Sequence, residues 1–141
     1  MDSRHSDRLA HQFALVLYIA AAWNLVGATL TLADMPKHLA LFFGPGTVLD
    51  TPVALINTYG FWGSVVLFGI GYLVVARRPR ENHGIVLLAV LGKIGTFFIW
   101  GWAYLQHAVT WLALAGGVGD LVFALVFIRY LVLLNPGRQS A

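Results

Sequence analysis

Four long stretches of apolar residues divide the chain, and short polar segments separate them. A membrane-spanning helix needs about 20 consecutive apolar residues. Each stretch approaches or exceeds that length, so the pattern predicts four spanning helices over residues 9–33, 52–76, 85–105 and 111–134. The first stretch is longer than the apolar region of a signal peptide, about 7–15 residues, so we expect it to be retained.

The connections between the predicted helices carry turn and capping residues. Residues 39–43 (LALFF) are too short to span and are expected to lie in the membrane interface, followed by a turn at 44–46 (GPG). Thr51 before Pro52 is typical of a helix start, with a hydroxyl cap and proline in the first turn. Thr110 is a candidate cap for the fourth helix.

Short connections make the second, third and fourth predicted helices antiparallel neighbours. The expected fold is therefore all-α, a single-domain (residues 1–141) transmembrane four-helix bundle with up-down-up-down topology. Cytoplasmic segments of membrane proteins are enriched in Lys and Arg. One side of the predicted bundle carries only Lys37, whereas the other carries Arg4, Arg8, Arg77, Arg78, Arg80, Arg129 and Arg138. Both termini are therefore predicted to be cytoplasmic, in a bacterial inner membrane.

Composition supports a membrane protein and excludes several functions. The hydrophobic fraction is 59% and the charged fraction 11%, with a net charge of +3, whereas soluble domains carry roughly 25% charged residues. The chain has no cysteine, which excludes disulfides, thiolate metal sites and thiol redox chemistry. Basic residues at helix ends argue against nucleic-acid binding. No metal site or established catalytic motif is found, and no catalytic residue is predicted.

Three strongly polar side chains interrupt the apolar stretches, namely Asn24, Lys93 and Asp120. At a rise of 1.5 Å per residue, Lys93 lies about 12 Å and Asp120 about 13 Å from the cytoplasmic ends of their helices. Asn24 lies about 15 Å from the outer end of the first helix. All three are therefore expected near the middle of the membrane.

The matched depths of Lys93 and Asp120 predict an ion pair, because an unpaired charge at the bilayer centre costs at least about 2.5–3.5 kcal/mol. Asn24 is expected to assist this pair. The neighbours four residues from Asp120 and Asn24 are all small, which is typical of helix interfaces in lipid; they are Gly116, Ala124, Ala20 and Ala28. The pair could fix helix register, bind a ligand, move a proton or contact a partner protein.

Three further residues are candidates for the same polar cluster. Thr96 and Trp100 follow Lys93 on one face of the third helix, at helical spacings of three and seven residues. Tyr72, on the second helix, is expected either to join the cluster or to anchor the helix at the interface.

Histidine pairs offer the sequence's only candidate ligands for haem b. His38 and His107 lie near the outer face, and His11 and His83 lie near the inner face. Each lies in or beside a loop, whereas ligands of haem in helical bundles prefer positions well inside the bundle. No cofactor is therefore predicted.

Several dipeptides are similar to a pattern found in small bacterial four-helix membrane proteins of the DoxX-like kind. The resemblance covers roughly residues 58–131 and a point in the first helix, and its dipeptides are Trp23-Asn24, Gly71-Tyr72, Gly92-Lys93 and Gly119-Asp120. It implies a four-helix bundle, and it implies association with membrane redox complexes or an accessory role.

The pattern as a whole favours a small, non-enzymatic membrane protein in contact with the lipid bilayer. It is expected to bind a hydrophobic or amphipathic small molecule, such as a quinone, or a membrane protein partner around Asn24, Lys93 and Asp120. One alternative is a structural accessory subunit of a larger membrane complex. Another is a proton-coupled carrier or membrane enzyme that uses Lys93 and Asp120.

Overall fold

The fold was analysed in a computed structural model that describes the backbone of residues 3–134 and the side chains of residues 7–134. Within this range the chain is helical, with α1 (Ser3–Ala33), α2 (Met35–Phe43), α3 (Pro52–Arg77), α4 (His83–Leu105) and α5 (Trp111–Leu133). All of these except α2 are long and apolar enough to cross a membrane. Arg138 and the side chain of Arg4 lie outside the described residues.

Two predicted helix caps have different outcomes. The Thr51 hydroxyl accepts a hydrogen bond from the Ala54 amide at 3.1 Å, which confirms this cap at the start of α3. Thr110 is the N-cap residue of α5, as predicted, but its side chain makes no capping hydrogen bond. Its hydroxyl instead donates to the carbonyl of Leu41 at the end of α2. The Thr110 amide donates to the Phe42 carbonyl at 2.8 Å, so α2 is bonded to the start of α5.

The segment expected at the interface forms a short helix, α2, that begins earlier than the apolar run. Met35 and Leu39, one turn apart, are buried against the bundle. Gly44 ends the helix with a positive φ of 101°, and Gly46 follows at 84°. Such φ angles favour glycine, which has no Cβ. The two glycines therefore redirect the chain from α2 toward α3.

α1 also begins earlier than the apolar run, since its helical backbone starts at Ser3 rather than near residue 9. The polar first turns pack near the connection between α3 and α4, where the Arg80 guanidinium lies 2.7 Å from the Asp7 carboxylate. No proline or glycine interrupts this segment, so the helix continues beyond its apolar part.

The four long helices pack as two close pairs. α1 lies along α3, and α4 lies along α5, whereas α3 and α4 touch over a much smaller surface. α3 and α4 are neighbours, as their short connection predicts, but their contact is smaller than the contact within either pair. The reason is space within the bundle, because cavities lined by all four long helices separate the two pairs.

The core is filled at the end of the bundle where α1 and α4 begin. Its fully buried large side chains include Leu17, Tyr72, Phe127 and Tyr130. The Phe13 and Tyr130 rings meet edge to face at 4.7 Å and join α1 to α5. Large apolar side chains also face outward on every long helix, among them Leu15, Leu67, Leu91 and Leu125. An exposed apolar surface on all sides is compatible with contact with lipid.

Candidate functional site

α4 and α5 place Lys93 and Asp120 opposite each other at the centre of the structure. The Lys93 Nζ lies 2.5 Å from the Asp120 Oδ1. The Lys93 side chain is only 5% exposed and the Asp120 side chain 18%. Charges removed from water to this extent are stable only when they are paired and hydrogen-bonded. This salt bridge lies within one helix pair, α4 and α5.

Asn24 connects this salt bridge to the other helix pair. Its Nδ2 donates to the Val65 carbonyl on α3 at 3.3 Å, which holds the amide in the α1–α3 pair. Its Oδ1 accepts a hydrogen bond from the Lys93 Nζ at 3.4 Å. The structure therefore brings Asn24, Lys93 and Asp120 together, and Asn24 is the member that links the two helix pairs.

Small residues allow the helices that carry this network to approach closely. Ala20, Ala28 and Ala124 have no exposed surface, as expected for a helix interface, whereas Gly116 is partly exposed and has open space beside it. At Gly69 on α3, a Cβ would lie only 2.7 Å from the Leu25 side chain of α1. The absence of a side chain at Gly69 therefore permits the α1–α3 contact beside Asn24.

Two aromatic rings lie beside the Lys93 ammonium. Its Nζ is 5.2 Å from the Phe123 ring centroid and 5.7 Å from that of Tyr72, distances at which cation–π attraction operates. Tyr72 is 1% exposed, so it belongs to the buried cluster and is not an interface anchor. Phe123 was not predicted as a site residue. Its position three residues after Asp120, on the same helical face, could have identified it.

The other two predicted site residues line the space next to the salt bridge. The Thr96 hydroxyl donates to the Gly92 carbonyl one turn earlier at 3.0 Å, so its lone pairs remain free to accept. Trp100 is partly buried, and its ring centroid lies 5.7 Å from that of Phe43 and 6.1 Å from that of Phe42. Thr96 and Trp100 thus connect the polar cluster to an aromatic one.

A cavity of about 390 Å³, here called the main cavity, occupies the space between the helix pairs. Asn24, Thr96 and Asp120 provide its polar groups. Its walls are mostly apolar and contain five aromatic side chains, which are Trp23, Phe42, Phe61, Trp62 and Trp100. The volume lies within the range of ligand sites, roughly 300–1,000 Å³, and apolar walls with a few polar groups are typical of them.

A smaller cavity of about 170 Å³, here called the lysine cavity, lies on the other side of the salt bridge. It is lined by Lys93 and Tyr72, and it shares Asn24, Thr96 and Asp120 with the main cavity. Asp120 therefore lines both cavities, whereas Lys93 lines the lysine cavity and not the main cavity.

No family model, curated protein or solved structure matches this chain.

Most of the aromatic wall was not anticipated from the sequence. Trp23, Phe42, Phe61 and Trp62 were not predicted as site residues, whereas Trp100 was. Aromatic residues near helix ends ordinarily form belts at the membrane interface. No local pattern separates a belt residue from a cavity residue, because the difference depends on which side of the helix faces the other pair.

The histidines considered as haem ligands lie apart from the two cavities described above. His11 and His107 are exposed, and the His38 Nδ1 lies 2.9 Å from the Asp34 carbonyl. The His83 ring packs 5.7 Å from that of Tyr130. Among the described residues, no group of three His, Asp or Glu side chains is arranged to hold a metal ion.

Proposed function

We propose that this protein is a small bacterial inner-membrane protein that binds a hydrophobic or amphipathic small molecule in the main cavity. The polar part of the ligand lies against Asn24 and Asp120, and the apolar part lies among the aromatic walls. The observation that carries this proposal is the combination of a 390 Å³ volume with an apolar, aromatic wall and a polar group at one place in it. A buried ion pair that only fixed helix register would need no such space.

The proposed topology is up-down-up-down, with both termini in the cytoplasm. The contact between Arg80 and Asp7 supports it, because it brings the α3–α4 connection to the start of α1. The chain has no native cysteine, so a single introduced cysteine reports the side of the membrane on which it lies. We expect a membrane-impermeant maleimide to label Gln106→Cys but not Glu81→Cys in intact spheroplasts. Labelling of Glu81→Cys alone would show that the topology is the reverse of the one proposed.

The proposed function is tested by native mass spectrometry of the protein extracted from its own membrane in mild detergent. We expect a bound mass of a few hundred daltons, and fragmentation of that species identifies a lipid, a quinone or another small molecule. A bound polypeptide instead would make the chain an accessory subunit of a larger complex. A bare protein under conditions that retain bound lipid on a control protein would contradict the proposal.

A matched pair of variants connects the bound mass to the main cavity. Gly116 lines this cavity, and a Cβ built there meets nothing within 4 Å, so Gly116→Leu is expected to fill space and expel the ligand. Gly101 on α4 has equally open surroundings but does not line the main cavity. Gly101→Leu should therefore retain the ligand, and equal loss from both variants would contradict binding in the main cavity.

A second candidate function, a proton-coupled carrier, is favoured by the lysine cavity. Its volume of about 170 Å³ is enough for several water molecules, at about 30 Å³ each, beside Lys93 and Asp120. A carrier needs such access of water to its titrating groups. We expect proteoliposomes that contain the wild-type protein to move protons when a candidate substrate is added, as measured with a trapped pH-sensitive dye, and those that contain Asp120→Asn not to do so. Absence of proton movement with both proteins would refute the carrier.

Membership of the DoxX-like proteins is a further proposal, supported by the dipeptides around Asn24, Tyr72, Lys93 and Asp120. The structure of a DoxX-like protein with a different helix pairing, or without a central salt bridge, would contradict it.

A further inference from the structure

The polar groups of the main cavity are dominated by oxygen atoms that accept hydrogen bonds. Among the described residues that line this cavity, Asp120 is the one with a charged side chain. The Thr96 hydroxyl uses its proton on the Gly92 carbonyl, so it faces further partners as an acceptor. Asn24 has one amide proton on the Val65 carbonyl and its Oδ1 engaged by Lys93. A ligand that brings positive charge or donor groups suits the oxygens of Asp120 and Thr96, whereas a carboxylate does not.

The salt bridge is oriented so that its negative end faces the main cavity. Lys93 lines only the lysine cavity, whereas Asp120 lines both. Within the described part of the chain, hydrogen bonds to the Asp120 carboxylate engage Oδ1 alone, through the Lys93 Nζ. Seen from the main cavity, the pair is a dipole with the carboxylate in front and the ammonium behind. Its field therefore attracts a cation, although the net charge of the pair is zero.

The aromatic wall favours the same type of ligand. The faces of Trp, Tyr and Phe rings carry negative electrostatic potential, and they bind alkylammonium groups with about 2 kcal/mol or more when water is excluded. The Phe42 and Trp62 rings lie 5.6 Å apart, and the Phe61 and Trp100 rings 6.1 Å apart. Trp23 lies on α1, next to Asn24, and its ring packs against α5, 6.2 Å from the Phe123 ring. Rings from α1, α2, α3 and α4 thus line the same cavity as the Asp120 side chain.

We propose that the main cavity binds a lipophilic organic cation, a quaternary ammonium or a protonated amine, with the cationic group at Asp120 and the apolar part among the five aromatic rings. This inference rests on the proposed function and names the chemical class of its ligand. Lys93 competes with the ligand for the same carboxylate. The cavity discriminates against fatty acids and other amphipathic anions, because they would bring a negative charge to Asp120.

The charge preference is tested with three probes of similar shape in uncharged dodecyl maltoside micelles. They are benzyltrimethylammonium, its uncharged isostere neopentylbenzene, and phenylacetate. Three of the five tryptophans line the main cavity, so a Trp102→Phe, Trp111→Phe background leaves only cavity tryptophans to report binding by fluorescence. We expect saturable binding of benzyltrimethylammonium at least about tenfold tighter than that of neopentylbenzene, and no saturable response to phenylacetate.

Two substitutions should move the affinity for the ammonium probe in opposite directions. Asp120→Asn removes the counter-ion and should weaken binding at least about tenfold. Lys93→Met removes the competing cation and should tighten it, and the probe should raise the thermal stability of this variant more than that of wild type. Asp7→Asn removes a carboxylate that lies 71% exposed beside Arg80, and it should leave the affinity unchanged.

The comparison of the three probes in the Trp102→Phe, Trp111→Phe background stands even where a charge variant does not fold. Equal or tighter binding of neopentylbenzene, binding of phenylacetate, or no binding of the ammonium probe would each overturn the cation inference. Such results leave the proposed function standing if native mass spectrometry still finds a small molecule that Gly116→Leu expels. If native mass spectrometry also finds no bound small molecule on the wild-type protein, both the cation inference and the proposed function are overturned.

Discussion

The buried salt bridge predicts a large and asymmetric response to removal of one charge. In the Asp120→Asn variant the Lys93 ammonium, 5% exposed, would retain the 3.4 Å hydrogen bond to Asn24 and the two neighbouring rings, but it would lose its counter-ion. Breaking a buried pair by removing one partner typically costs about 3–5 kcal/mol. Asp120 is 18% exposed and lines two cavities, so we expect the lower end, about 3 kcal/mol of unfolding free energy.

This loss is large enough to measure by thermal unfolding in detergent. For a chain of this size, about 3 kcal/mol corresponds to a decrease in Tm of about 10 °C. The exchanged double variant, Lys93→Asp with Asp120→Lys, restores opposite charges at the same depth. It should recover a large part of the stability if the pair is chiefly structural, whereas ligand binding should not recover because the carboxylate then lies on α4.

The exposed salt bridge between Arg80 and Asp7 provides the matched control. Their side chains are 49% and 71% exposed, and exposed pairs contribute about 0–1 kcal/mol. Asp7→Asn should therefore leave the Tm nearly unchanged. If Asp120→Asn unfolds at the same temperature as Asp7→Asn and wild type, the Lys93–Asp120 pair does not stabilise the fold and the reasoning is refuted.

Two further predictions concern the contacts around the cavities. Gly69→Ala should lower the Tm because its Cβ would lie 2.7 Å from the Leu25 Cγ. Gly63→Ala on the same helix has open space around its Cβ and should leave the Tm unchanged. Equal Tm values for the two variants would contradict the close α1–α3 contact. Thr110→Val removes the side-chain hydrogen bond to the Leu41 carbonyl. Hydrogen exchange in α2 should then be faster than in wild type, and unchanged exchange would show that this bond does not hold α2.

The apolar pattern located the long helices to within a few residues, because uncharged apolar runs of membrane length are rare outside spanning helices. It did not detect the first turns of α1, which are polar, nor α2, which is too short to span. It predicted α3 and α4 to be neighbours because the connection between them is short, but it did not predict how small their contact is. A short connection fixes only the distance between helix ends, and the cavities keep the rest of α3 and α4 apart.

The polar part of the site was accessible from the sequence because charges within apolar helices are costly and must find partners. Depth alone matched Lys93 to Asp120, and the structure places their charged atoms 2.5 Å apart. The aromatic part was not accessible, since Trp62 fits an interface belt equally well and Trp23, beside Asn24, fits a lipid-facing position equally well. Thr110 illustrates a third limit. A threonine at the start of a helix can donate its hydroxyl hydrogen bond to a neighbouring element instead of capping its own helix, and only the fold shows which partner it has.

The two hydrogen bonds from Thr110 to α2 bear on where a ligand can enter. They tie the start of α5 to the segment that follows α1, and Arg80 with Asp7 ties the opposite end. The boundary between the pairs is therefore fastened at both ends, and along its length the two pairs make few close backbone contacts, fewer between α1 and α5 than between α3 and α4. In a bilayer, a ligand that enters between the pairs comes from the lipid, so its binding depends on its mole fraction in the lipid. A dissociation constant given as an aqueous concentration would then vary with the amount of membrane in the assay, whereas one given as a mole fraction in the lipid would not.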